Sequence, residues 1–192
     1  MELTVRDALT VLHGMVFGGL LLLGYSGAVV AICAMSAAGD PWKPQARGEK
    51  ALSLYLTLLA GLAWLAVLFG AYVIYPWYRA VPPTGADLAG FPQRFLMSSP
   101  TTTEWHDIGM EWKEHVAWLA PISLTACAWI FRRYGGRLRV MKGLRNLLLG
   151  LVLTAFAATC VAGFFGAMLN KFAPVRGGGE IVLMKGETGD ER

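Results

Sequence analysis

The chain has 192 residues, of which 55% are apolar and only 16% charged, whereas soluble domains carry about 25% charged residues. The mean hydropathy is +0.48, and the apolar residues fall into four blocks, so two soluble domains are excluded in favour of one membrane-embedded unit. The formal net charge of +4 concentrates in one inter-helix loop. With no nucleic-acid-binding motif beside it, the excess reads as membrane topology.

Met1–Asp7 is a short polar lead. The first predicted helix runs from about Ala8 to Ala38. Its apolar block is longer than the roughly 7–15 residues of a signal-peptide core, so it reads as a retained span. Gly14 and Gly18 form a small-xxx-small pair that lets a helix backbone, or a flat cofactor, approach closely. His13 stands just before them in an otherwise apolar stretch. A proline-containing turn, Asp40–Lys50, leads to a second helix over about Ala51–Tyr75, which ends in an aromatic belt and Pro76.

Val81–Pro100 is a long connection containing Pro82, Pro83, Pro92 and Pro100 with Leu88, Phe91, Phe95, Leu96 and Met97. Long connections in small domains are often functional. This one is expected to be ordered and to cross one mouth of the bundle. The third helix is predicted over about Thr103–Tyr134, with Thr101 and Glu104 at capping-box spacing. Trp105, Ile108, Trp112, His115, Leu119 and Ile122 recur at helical steps and mark one face. Pro121 should bend the helix by freeing the Ala117 carbonyl.

Arg132–Arg145 carries six basic residues and no acid. A fourth helix over about Leu144–Leu169 has a small-residue face at Ala155, Ala158, Ala162, Gly163 and Gly166. The expected architecture is thus an all-α four-transmembrane-helix bundle over residues 1–170 with a polar outer-side tail, 171–192. Within the tail, Ile181–Met184 is the apolar exception, and the pattern leaves two alternatives there, a short interfacial strand or no regular structure. Cys33, Cys127 and Cys160 lack metal-binding or haem-attachment spacing and read as small apolar residues. The positive-inside rule places Arg132–Arg145 in the cytoplasm. Both termini and the long loop then lie on the outer side of the membrane, the inner membrane if the source is bacterial.

This topology brings His13 and His115 to similar depth on different helices. His115 stands about 26 Å of helix before Arg132. Two histidines so placed suit the two axial positions of haem b. In that reading Gly14 and Gly18 admit the porphyrin, Trp112 and Trp118 line it, and Arg79 and Arg94 meet the propionates. Glu111 would accept the outer N–H of His115. Asp107, Glu111 and Glu114 would be proton acceptors for a quinol beside the haem. A second metal reading takes Asp107, Glu111 and His115 on one stripe, completed by His13 or His106. The plainer reading takes the histidines and tryptophans as interfacial residues, and Glu111 with His115 as an i,i+4 pair.

With four spans and the His13/His115 pair, the layout is similar to small four-helix b-type cytochrome subunits of respiratory complexes. That resemblance implies electron transfer from quinol to another subunit or a periplasmic carrier. It departs from two-haem cytochromes, which need more than three histidines and place them at both membrane faces. The alternative is a cofactor-free accessory or assembly subunit of a larger membrane protein complex, held by its small-residue faces.

Overall fold

The computed structural model describes residues 2–35, 46–173 and 180–182. Most of the Asp40–Lys50 turn and most of the tail lie outside the described residues. Among the described residues four helices are long and apolar enough to cross a membrane: Val5–Ala34 (span 1), Gly48–Tyr78 (span 2), Pro100–Arg139 (span 3) and Lys142–Phe172 (span 4). The protein is an integral membrane protein built as an all-α bundle.

Span 1 opens with a capping box, Thr4 accepting from the Asp7 N–H and Asp7 from the Thr4 N–H, which satisfies two orphan donors of the first turn. Span 3 begins three residues earlier than its sequence pattern suggested. Its cap is Ser99, whose hydroxyl accepts from Thr101 N–H, with Pro100 in the first turn, where a missing N–H costs nothing. The last α-helical stretch of span 3, Leu119–Tyr134, ends at Gly135, whose φ of +49° suits a residue without a Cβ.

Consecutive spans pack antiparallel, and span 4 closes against span 1. The core runs along Leu21, Tyr25, Ala28 and Ile32 of span 1, Leu56, Leu59 and Ala63 of span 2, Leu124, Cys127 and Phe131 of span 3, and Leu148, Val152 and Ala155 of span 4. Polar side chains stitch it together. Tyr25 Oη meets Thr159 Oγ1 at 2.8 Å between spans 1 and 4. Tyr55 Oη donates to the Gly24 carbonyl at 2.6 Å between spans 1 and 2. Trp64 Nε1 donates to Thr125 Oγ1 at 3.0 Å between spans 2 and 3. In hydrocarbon such groups have no water to fall back on, so each pair fixes helix register.

One end of the bundle holds the short Gly135–Arg139 turn, where Arg139 meets Glu49 at 3.7 Å. The other end is closed by a small helix, Pro92–Met97, in the connection between spans 2 and 3. Its Leu96 is buried with Tyr78, Met110, Leu169 and Ala173. At the same end a two-stranded antiparallel ribbon pairs Glu2–Thr4 with Glu180–Val182, overlapping the apolar piece of the tail.

Three spans widen into π-type turns: Leu12–Phe17, Gly70–Ile74 and Trp112–Val116. All three lie towards the end capped by Pro92–Met97. In span 3 the wide turn runs into Pro121. The Ala117 carbonyl, which Pro121 cannot use, is taken by Ala120 N–H at 3.2 Å.

Candidate functional site

Span 3 carries the polar residues of the capped end, and its helical phase decides which of them face inward. His106, Met110, Lys113, Ala117, Ala120 and Leu124 follow at three- and four-residue steps, and Met110, Ala120 and Leu124 are buried. Lys113 therefore shares the inward stripe. Ile108, Leu119 and Ile122 are 58%, 44% and 53% exposed, so they form the outward, lipid-side stripe.

His106 is held on both ring nitrogens. The Gln93 amide donates to its Nε2 at 3.3 Å, and its Nδ1 meets Tyr78 Oη at 2.8 Å. An Nε2 that accepts leaves the proton on Nδ1, so the ring is neutral and donates to the tyrosine oxygen. Gln93 is one of the few buried polar side chains among the described residues. It belongs to the capping helix, and this bond pins the loop to spans 2 and 3.

A second set lies alongside. Arg79 Nη1 donates to Tyr75 Oη at 2.6 Å, and Tyr75 Oη donates to Glu114 Oε1 at 2.7 Å. Arg79, Gln93, His106, Asp107, Met110, Glu111 and Glu114 line a half-open polar pocket of about 230 Å³.

Below this pocket lies the inner end of the polar region. The His13 ring packs parallel to Phe69, with centroids 6.2 Å apart. It lies so close to Gly70 that a Cβ there would stand 2.9 Å from its Cε1. Its Nδ1 is buried with no hydrogen-bond partner. Lys113 is within electrostatic reach of His13, and its Nζ lies 3.4 Å from where a Cβ of Gly166 would stand. Two wide π turns and two glycines thus clear room for an imidazole and an ammonium between the helices.

Comparison with protein families, curated proteins and solved structures found no match.

The geometry corrects the haem reading. His13 faces span 2. His115 points away from the bundle, its side chain 68% exposed, and its Nδ1 meets Glu111 Oε2 at 3.2 Å. That is the ordinary surface i,i+4 pair. The two rings do not flank a common space. Among the described residues no group of three or more His, Cys, Asp or Glu side chains is placed to hold a metal ion. The haem b, the b-type cytochrome role, the quinol beside it and the Asp107/Glu111/His115 metal set all fall with this.

The residues nominated for that site have other surroundings. Trp112 Nε1 donates to the Ala158 carbonyl at 3.3 Å, and Trp118 Nε1 to the Glu114 carbonyl at 2.9 Å. Trp118 also meets Trp64 edge to face. Arg79 lines the polar pocket, whereas Arg94 is exposed on the capping helix. Asp107 and Glu111 are exposed at the pocket rim, and Glu114 is half-buried and bonded to Tyr75. A Cβ added at Gly14 or Gly18 would meet nothing within 4 Å.

Sequence reasoning passed over Lys113, Gln93, Tyr75 and the His106–Tyr78 pair. One signal was available: Lys113 is the sole Lys or Arg between Arg94 and Arg132, and it sits seven residues, two helical turns, from His106.

Proposed function

We propose that the protein is an accessory or assembly subunit of a larger membrane protein complex. The observation that carries this reading is on span 4. Gly150, Thr154 and Ala157 are exposed on its outward side, and a Cβ at Gly150 would meet nothing within 4 Å. Small residues three and four apart let a second helix backbone come close, and close packing drives helix association where there is no hydrophobic effect to do so. The inward small residues of the same helix, Ala155 and Ala158, are already buried in the bundle. The outward set is spare. Span 2 offers a similar outward pair in Thr57 and Gly61.

In this reading the Arg132–Arg145 end faces the cytoplasm by the positive-inside rule. The capped end, the long connection and the 171–192 tail face the outer side, where the polar network holds a rigid surface for a partner. The protein's surroundings are lipid and other membrane subunits.

Blue native electrophoresis of native membranes tests the reading. The protein should migrate in an assembly well above its own 20.8 kDa. Gly150→Leu with Thr154→Leu should release it without lowering its thermal midpoint in detergent. Migration of the native protein alone, or retention of the double variant in the assembly, would refute it.

A further inference from the structure

Towards the capped end, small residues of spans 1 and 4 come level with one another. The Tyr25–Thr159 hydrogen bond sets the register of these antiparallel helices. Gly18 lies seven residues before Tyr25 and Gly166 seven after Thr159, so both stand about 10 Å further towards the capped end. Gly18 continues the inward stripe of Leu21 and Tyr25, yet nothing lies within 4 Å of its Cβ position, and the nearest atom at Gly166 is Lys113 Nζ. The seam between the two helices is thus notched, and the ammonium of Lys113 stands at its inner end.

That ammonium has nothing to neutralise it: among the described residues Lys113 makes no hydrogen bond and no ion pair. It is largely surrounded by protein yet keeps some accessible surface. A charge at such a depth is costly unless paired. His13, with its own unpartnered buried Nδ1, is within electrostatic reach. On span 1, one turn beyond Gly18, the apolar Met15 is exposed, as acyl chains require.

We propose that this notch is a binding site for one anionic phospholipid, whose headgroup phosphate enters between spans 1 and 4 and pairs with the Lys113 ammonium. Basic pockets between transmembrane helices take anionic headgroups for this reason. Lateral access and apolar flanks favour a membrane lipid over a soluble anion.

Native mass spectrometry of the full chain in detergent, titrated with phosphatidylglycerol or phosphatidylcholine, tests it. The first phosphatidylglycerol should bind about ten- to a hundredfold tighter than phosphatidylcholine, the range for a hydrogen bond to a charged group. Lys113→Met should bring the two lipids to near parity, and Lys113→Arg should keep the preference. Neutralising Arg133 and Arg137 in the basic loop should leave that first site intact. Gly18→Leu fills the notch with Lys113 in place and should abolish the preference, so the test survives misfolding of Lys113→Met. Equal binding of the two lipids, an undiminished preference in Lys113→Met or Gly18→Leu, or displacement by millimolar inorganic phosphate would overturn the proposal.

Discussion

Gly27→Ala is a small change whose cost follows from one contact. Gly27 faces span 2, and a Cβ at this position would run into Tyr55 Oη and stand 3.1 Å from Tyr55 Cζ. The hydroxyl is not free to swing away, because it donates to the Gly24 carbonyl at 2.6 Å. Overpacking of this kind costs about 1–3 kcal/mol. Displacing the hydrogen bond adds about 0.6 kcal/mol, the typical interhelical value in membranes. Alanine in a helix interior returns about 0.5–1 kcal/mol relative to glycine. The net expectation is a loss of about 1–3 kcal/mol. In a Tyr55→Phe background the hydroxyl is gone and the ring carbons remain, Cζ at 3.1 Å and Cε1 at 3.7 Å. Gly27→Ala should then cost about zero, giving a coupling near 2 kcal/mol by double-mutant cycle. Reversible unfolding in mixed micelles of rising denaturing-detergent fraction supplies all four stabilities. If Gly27→Ala cost the same with and without the Tyr55 hydroxyl, the contact would not be the cause and the packing of spans 1 and 2 described above would be wrong.

Three further expectations rest on other contacts. Gly135→Ala places a Cβ on a residue with φ +49° and ψ −131°, which should cost about 1–3 kcal/mol, read as a lower thermal midpoint. His106→Leu removes the partner of both Gln93 and Tyr78. It should cost about 1–3 kcal/mol for the groups left unpaired and speed proteolysis within Val81–Pro100, with His106→Gln recovering part of the loss; unchanged proteolysis would show that the network does not hold the loop. In sealed cells, a cysteine placed at Thr84 should react with an impermeant maleimide and one at Arg137 should not, and the opposite pattern would reverse the assigned sidedness.

The four spans were legible because the signal is a bulk property: twenty or so apolar residues in a row have few other uses. Their ends were less so. Pro100 cannot be told from a loop proline until Ser99 is seen capping the turn it starts. The connection between spans 2 and 3 was visible as a length. Its fold depends on Gln93 and Leu96 meeting residues from three other elements, which no local pattern encodes.

The site was misread for a reason that lies in the solvent. In a soluble helix the apolar stripe faces the core, and by that habit Trp105, Ile108, Trp112, His115, Leu119 and Ile122 looked inward. In a bilayer the apolar stripe is equally at home against lipid, and it is the ionisable residues that seek the interior. Ile108, Leu119 and Ile122 accordingly face out and take His115 with them, while Lys113 and His106 turn in. The wide turn at Trp112–Val116 adds to the difficulty, since each extra residue in a turn rotates the face by about 100° relative to the regular 3.6-residue period. Read with the polar residues inward, the sequence yields His106, Met110, Lys113 and Ala117 as one stripe, and it is this stripe, not the histidine pair, that meets Gly166 and Tyr78 in the structure and comes within electrostatic reach of His13.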